Sequence, residues 1–334
     1  MTTRNISKLF ISMTTVVIVF FVLSCTGNGQ HRTKRDADSL AIRIALLPTV
    51  ESLPFYYAEA EGIFDSIGVN VQLITFEAAM DADTAFAGQS ADGILTDLVK
   101  ACTWQATGDS VKVVVANELK LWLVTASQAR IRNTESLKEK IIGITRHSAI
   151  DYWTDALLAS AKLGSEQLNK PQINNLHLRA QMVVQNQYDG AVMPEPYATI
   201  CANSGAFRLT DGHQLKATNP MCALLFREPT LSKQKAEIAQ IVEAYSIAAY
   251  TINQRTNGQL SRQWLSYIPQ SAQWPDSLVV TATLGQPSLP TDSLISRVSA
   301  WAKQRTLIQS DVTQTMLNDT AFLPNNTSEK HPSK

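Results

Sequence analysis

One short pattern occurs twice in this chain and constrains its fold more than any other feature. Residues 89–97 read Gln-Ser-Ala-Asp-Gly-Ile-Leu-Thr-Asp, and residues 187–195 read Gln-Tyr-Asp-Gly-Ala-Val-Met-Pro-Glu. Continuous apolar runs such as these are typical of strands buried on both faces of a parallel α/β sheet. Such sheets bind ligands at the carboxyl ends of their strands, where each copy here carries an acid. The pattern therefore predicts two similar lobes that face one ligand, with a chance similarity of short motifs as the alternative.

The alternation of apolar runs and amphipathic stretches predicts an α/β chain. Strand-like runs cover 41–47, 69–76, 91–95, 111–116, 141–145, 173–178, 188–193 and 222–226. Helices are predicted in most intervals, and a long one follows over 230–255. Short connections between such elements are typical of parallel sheets with helices on their faces. Extended segments at 119–127 and 210–222 are predicted to connect the two units, and two connections make a hinge beside a cleft.

The N-terminal segment predicts export and a lipid anchor. Basic residues precede an apolar stretch over 9–23, which is too short for a typical membrane span and fits a secretion signal. Residues 22–25 read Val-Leu-Ser-Cys and resemble a bacterial lipobox, in which the cysteine becomes the diacylated N-terminus. We expect a signal peptide over 1–24, lipidation of Cys25 and a flexible tether over 25–40. An ordinary secretion signal with a chance cysteine is the alternative.

Composition predicts a globular body, and the motifs indicate neither a catalytic nor a metal site. The chain is 45% hydrophobic and 17% charged. Its formal net charge is +0 and it has no block of basic residues, so nothing favours nucleic-acid binding. Cys102, Cys201 and Cys222 lack metal-like spacing, although a Cys201–Cys222 bridge stays open. We find no Gly-rich phosphate loop, His-Glu-x-x-His motif or nucleophile elbow. We therefore expect no enzyme, no cofactor and no metal, and a disordered polar tail over 323–334.

Four segments resemble a known family in their correct order. They are IRIALLPTVESLPFYYAEAEGIFDSIGVNVQL (42–73), DGILTDLVKA (92–101), LKEKIIGITRHS (137–148) and DGAVMPEPYAT (189–199). Together they resemble solute-binding proteins of ABC importers, in the group that binds nitrate, sulfonates, taurine and thiamine precursors. The resemblance implies a type II periplasmic binding protein fold, with two parallel-rich sheets joined by a two-segment hinge.

The resemblance also implies a function and a domain order. The first lobe is expected over 41–120 and the second over 121–215, with a return to the first over 216–322. Such a protein is a monomer, tethered by lipid on the periplasmic side of a membrane. It captures a small polar organic solute, such as a sulfonate or a thiamine-precursor-like heterocycle, and delivers it to an ABC permease with its ATPase. An enzyme of the menaquinone- or thiamine-pathway type on the same fold, or a ligand-sensing receptor lobe, are the alternatives.

Nine polar residues at strand ends or helix N-termini are the candidate ligand contacts, because free N–H groups and the helix dipole bind polar groups there. They are Thr49, Glu51, Ser52, Thr96 and Asp97 in the first lobe, and Arg146, His147, Ser148 and Glu195 in the second. Ser52, Ser148, Thr96 and Asp97 could equally serve only as helix caps. Arg146 could pair with Asp151 or Glu195 instead. Members of the family usually have Gly where His147 stands, so whether His147 contacts a ligand stays open.

The charge of the solute is ambiguous from these residues alone. Arg146 and the helix N-termini favour an anion such as a sulfonate or carboxylate. The acids Glu51, Asp97 and Glu195 favour an amine or a protonated heterocycle. A zwitterion satisfies both sets.

Overall fold

Two separate mixed β-sheets organise the chain in the computed structural model, which describes residues 41–212, 215 and 221–323. The strands are β1 (Ile42–Leu46), β2 (Val71–Thr75), β3 (Gly93–Asp97), β4 (Val111–Glu118), β5 (Leu121–Thr125), β6 (Ile142–Gly143), β7 (Gly190–Pro194), β8 (Phe207–Thr210), β9 (Met221–Arg227), β10 (Gln259–Ser261) and β11 (Val279–Thr281). The predicted signal peptide, Cys25, the tether and the tail from 324 onward lie outside the described residues.

Helices separate most of these strands. They are α1 (Leu53–Ala60), α2 (Ile63–Ile67), α3 (Ala79–Ala87), α4 (Leu98–Thr107), α5 (Ala149–Ser160), α6 (Leu176–Val184), α7 (Tyr197–Asn203), α8 (Glu228–Lys233), α9 (Lys235–Thr256), α10 (Arg262–Leu265), α11 (Asp292–Gln304) and α12 (Gln314–Leu317). Pro54 stands in the first turn of α1, where a missing N–H costs no hydrogen bond. None of the helices in the described part of the chain is long and apolar enough to cross a membrane.

The first sheet has the strand order β2-β1-β3-β9-β4. β1 is parallel to both β2 and β3, whereas β9 runs antiparallel to β3 and β4. Its central strands have almost no exposed side chains, because helices cover both faces. The long helix α9 packs on α1 and α2, and α11 packs on α4. We refer to this sheet and its helices as the first lobe.

The second sheet has the strand order β6-β7-β5-β8. β6 and β7 are parallel, but β5 is antiparallel to both β7 and β8. The chain enters this second lobe through β5 and returns to the first lobe through β9, and each entering strand is antiparallel to its neighbours. The segment predicted as a plain crossing over 119–127 is therefore mostly a central strand, and residues 119–120 make the crossing.

The repeated sequence pattern performs the same structural task in both sheets. The Asp92 carboxylate accepts a hydrogen bond from the Arg43 backbone N–H, and Asp189 accepts one from the backbone N–H of Ile141, each at 2.9 Å. Each aspartate thereby ties its strand to the neighbouring segment. A side chain at Gly190 would collide with the Val124 carbonyl, so the second copy requires glycine there. The acids that end the two copies each accept a backbone N–H of the following helix, as described below.

One predicted strand, over 173–178, is wrong. Residues from Leu176 onward form α6, because the Asn175 side chain accepts the Leu178 N–H at 2.9 Å and caps a helix. The buried residues Leu176, Ala180 and Val183 also follow helical spacing. The residues before α6 form only isolated bridges, between Gln172 and Ile144 and between Asn175 and Ala78.

Two other boundaries differ from the sequence predictions. The strand predicted over 141–145 is only the two-residue β6. The long helix predicted over 230–255 is interrupted at Gln234, so that α8 ends before α9 begins.

Candidate functional site

Two adjoining cavities form a cleft between the lobes. The larger has a volume of about 420 Å³ and the smaller about 80 Å³. Both are lined by Glu51, Leu95, Leu119, Leu121 and Cys222, so they share one wall. Strand ends from both sheets contribute to this wall. A volume of a few hundred Å³ is the size of small-molecule sites in proteins.

Apolar and polar side chains both line the larger cavity. Its lining also includes Val50, Val115, Asn117, Glu118, Lys120, Trp153, Glu195, Asp211, Tyr245 and residues 281–285. The Tyr245 hydroxyl and the Asn117 side-chain amide are joined by a hydrogen bond of 2.6 Å. A side chain at Gly212 would collide with the Trp153 ring, which explains a glycine with φ of +66° beside this wall.

Glu51 is the one candidate acid with an unsatisfied oxygen. It lies in a single 3-10 turn just before α1, and its Oε2 atom is buried without a hydrogen-bond partner. The pKa of this carboxyl is raised from 4.5 to about 7, mainly by burial and to a smaller extent by the charge of Glu195, while the backbone N–H of Glu51 and the Thr49 side chain oppose the rise. Glu51 therefore presents to both cavities an acid that has no full set of protein partners.

Asp97 has a structural role that the sequence allowed. As the N-cap of α4 it accepts the Lys100 backbone N–H at 3.1 Å. Burial raises its pKa to about 6, against the opposing effects of Lys100 and of the Ala149 backbone N–H. Because Ala149 begins α5 of the second lobe, the Asp97 carboxylate lies near the N-terminus of a second-lobe helix.

Glu195 stands at the corresponding end of β7 and is only 2% exposed. One carboxylate oxygen accepts the Thr199 backbone N–H of α7 at 3.0 Å, and the other lies 3.2 Å from a guanidinium nitrogen of Arg208. Burial raises the pKa of Glu195, although Thr199, Arg208 and Lys120 oppose this. Glu195 faces the larger cavity with both oxygens already bonded.

Four smaller polar candidates line the narrower cavity, at Thr49, Ser52, Thr96 and Ser148. Ser148 caps α5, because its Oγ accepts the Ile150 N–H at 3.1 Å and donates to the Thr145 carbonyl. Ser52 is fully buried, and its Oγ has no partner. Ser148 is therefore a satisfied cap, whereas Ser52 has an unused hydroxyl at the cleft.

Arg146 and His147 lie outside the cleft. Arg146 is exposed and donates to the Lys170 carbonyl at 2.9 Å, and neither residue lines either cavity. Neither of the acids proposed as ion-pair partners of Arg146 is one here, because Asp151 and Glu195 bind other cations. His147 has a φ of +55°, a left-handed conformation that favours glycine, and its backbone N–H donates to Asp151 at 3.1 Å.

Contacts between the lobes close the cleft. The Val50 N–H donates to the Glu195 carbonyl at 3.0 Å. Away from the cavities, the Trp301 indole of α11 donates to the Asp155 carboxylate of α5 at 2.9 Å. Arg305 also lies 3.8 Å from Asp155. These contacts run between the two lobes, so they exist only while the lobes are close.

Sequence reasoning missed several residues that line the larger cavity. Tyr245 belongs to the apolar stripe of α9, whose spacing indicated only packing. Lys120 and Asp211 lie on the two connections between lobes, so the predicted hinge was the only signal for them. The thiols of Cys102, Cys201 and Cys222 are all free and buried, so the open Cys201–Cys222 bridge is not formed. In the part of the chain that the structure describes, no three potential metal ligands are grouped.

Comparison with known proteins identifies the family. The model of the NMT1-like family matches residues 35–266, which is more than half of the chain. The chain belongs to the NMT1-like family. This confirms the group predicted from the four ordered segments. No curated protein matches this NMT1-like chain by sequence.

Solved structures show the fold of this NMT1-like protein. The ligand-binding component of an ABC-type import system from Staphylococcus aureus, solved with zinc bound, has a TM-score of 0.67 and 16% identity, and covers 84% of this chain and 97% of its own. The alkanesulfonate-binding protein SsuA from Xanthomonas axonopodis pv. citri, bound to MOPS, also has a TM-score of 0.67 and 16% identity, with 84% and 98% coverage. The fold is the two-lobed, type II periplasmic binding protein fold, as predicted.

An enzyme shares this fold as well. The desulfurization enzyme DszB has a TM-score of 0.61 and 13% identity, and covers 84% of this chain and 97% of its own. The fold therefore supports both binding proteins and catalysts, and the site must distinguish them.

Proposed function

We propose that this NMT1-like protein is the solute-binding component of an ABC importer. It captures a small polar organic solute between its lobes and delivers it to a permease with its ATPase. The observation that carries the proposal is the cleft itself, whose walls come from both lobes and whose closing bonds run between them. A ligand that contacts both walls stabilises the closed arrangement. The similar structures from S. aureus, an importer's ligand-binding component, and from X. axonopodis, an alkanesulfonate-binding protein, support the same function.

The proposal includes a lipid anchor on the periplasmic side of a membrane. Its support is the Val-Leu-Ser-Cys sequence over 22–25 followed by a polar segment. Acylation at Cys25 would hold the receptor beside its permease. Labelling of cells with a fatty-acid analogue should mark the wild-type protein, and Cys25→Ser should abolish the label. A labelled Cys25→Ser protein would contradict the anchor without affecting the solute site.

Ligand binding without turnover is the test of the main function. The purified protein is screened by thermal shift against sulfonates, amines, pyrimidines and amino acids, since a ligand of the folded state raises the melting temperature by mass action. Each compound that stabilises the protein is then incubated with it and analysed by mass spectrometry. Stabilisation with the compound unchanged is the expected result. Conversion of the compound would favour an enzyme, as the fold of DszB permits, and would overturn the proposal.

A further inference from the structure

Acidic side chains dominate the charged part of the cleft. Among the described residues that line either cavity, the carboxylates are Glu51, Asp97, Glu118, Glu195 and Asp211, and the only ammonium group is Lys120. Arg208, which contacts the lining at Glu195, forms an ion pair with that carboxylate. At Glu51, whose Oε2 has no partner, the described wall therefore attracts positive charge and repels negative charge.

Three helix N-termini at the cleft, those of α4, α5 and α7, are occupied by the protein's own side chains, whereas α1 and α3 have no side-chain cap. Asp97 takes the Lys100 N–H of α4, and Glu195 takes the Thr199 N–H of α7. At α5, the hydroxyl of Ser148 takes the Ile150 N–H. At α4, α5 and α7 a sulfonate or other anion would have to displace these bonds, and at α1 it would meet the acid Glu51 in the preceding turn.

The buried Arg179 does not offer a binding site for an anion either. It is fully buried behind the Thr145 turn of the smaller cavity. Its guanidinium donates to the carbonyls of Ile173 and Val192 and to the Thr145 hydroxyl. It therefore fixes the wall and directs these hydrogen bonds into the protein.

Glu51, unlike Arg179, has a hydrogen-bonding atom that no protein group satisfies. Oε2 is buried and unpartnered, and the residue borders both cavities. A buried carboxylate oxygen without a partner is costly, and a positively charged N–H donor is the group that best satisfies it. The apolar walls at Leu95, Val115 and Trp153 would contact the hydrocarbon or ring of such a solute.

We propose that the cleft selects a cationic solute, an amine or protonated heterocycle, whose positive charge binds the Glu51 carboxylate while Glu195 faces it from the other lobe. This inference rests on the proposed solute-binding function and specifies its ligand class. It favours the cationic alternative over the sulfonate, because the arginine that supported an anion lies outside the cleft. The family resemblance alone left both classes open.

The test uses pairs of compounds that share a carbon skeleton and differ in charge. Benzylamine is compared with phenylmethanesulfonate, propylamine with propanesulfonate, and aminomethylpyrimidine with pyrimidinylmethanesulfonate. Binding to the purified protein is measured by calorimetry and thermal shift at pH 8. We expect binding by one or more amines and none by the matched sulfonates. Binding by sulfonates instead would overturn the inference and leave the proposed function intact, whereas no binding by either class would count against both.

Glu51→Gln tests the residue itself. Loss of a charge-assisted hydrogen bond should weaken amine binding on the order of 10- to 100-fold. Glu243→Gln is the matched control, because Glu243 is exposed in the middle of α9 and lines neither cavity. A melting temperature at or above that of the wild type shows that the Glu51 variant is folded. Equal affinity for the amine in the wild type and in folded Glu51→Gln would overturn the role of Glu51.

Discussion

Glu51→Gln should make the ligand-free protein more stable at neutral and alkaline pH. The pKa of Glu51 rises on folding from 4.5 to about 7. Each pKa unit corresponds to about 1.4 kcal/mol, so the ionised side chain destabilises the folded state by about 3 kcal/mol above pH 7. Glutamine keeps the shape and removes the charge. Under the proposed binding of a cation, the site would recover this cost when the ligand binds, a trade-off between stability and function.

The sign of the pH dependence follows from the direction of the shift. Below the unfolded pKa the carboxyl is protonated in both states, so the charge makes no contribution. As the pH rises through the folded pKa, the unfolded state is already ionised and the folded state must release its proton at a cost. The advantage of Glu51→Gln should therefore be near zero at pH 4.5 and grow to about 3 kcal/mol at pH 8.

Urea denaturation at pH 5, 6.5 and 8 measures this advantage. Any bound ligand is first removed by unfolding and refolding, because a ligand would stabilise the wild type selectively. Circular dichroism and tryptophan fluorescence should give coincident transitions, which tests whether one free energy of unfolding describes the protein. Glu243→Gln should show no such growth. A Glu51→Gln protein that is no more stable than wild type at pH 8, or whose advantage does not shrink towards pH 5, would refute the reasoning.

Three further substitutions test the geometry. His147→Gly should leave ligand affinity unchanged and raise stability by less than about 1 kcal/mol, because it only relieves a left-handed φ outside the cleft. Weaker binding by calorimetry would instead place His147 at the ligand. Arg208→Gln should lower stability by about 1 kcal/mol at pH 8, a value that is small because Arg208 is partly exposed. The loss should be smaller at lower pH, where Glu195 gains its proton. Urea midpoints that fall equally at pH 8 and at lower pH would argue against this pairing. Trp301→Phe keeps an aromatic ring and removes the donor to Asp155. The closed form should become less stable by about 1 kcal/mol, and ligand affinity should fall about fivefold. An unchanged dissociation constant would mean that this bond does not favour closure.

Local pattern predicted the elements whose burial and ends are encoded in a few neighbouring residues. The repeated motif predicted β3 and β7 correctly, because a run buried on both faces must be apolar throughout. It also predicted that an acid stands at the carboxyl end of each strand. The structure shows why both positions carry an acid, since Asp97 and Glu195 each bind an N–H of the helix that follows. The predicted strand over 173–178 was wrong because Asn175 caps a helix, and a short apolar run fits either element.

The sequence by itself determined the α/β class, the two lobes and the family, since these depend on periodicity and on the order of motifs. Only the tertiary structure decided which candidates reach the cleft and which carry an unsatisfied charge. Arg146 and Glu51 both follow strands, and both could have faced a ligand. Arg146 donates to a carbonyl at the surface, whereas Glu51 lies at the cleft and its buried Oε2 has no hydrogen-bond partner. Burial and partners come from residues distant in sequence, and local spacing cannot encode them.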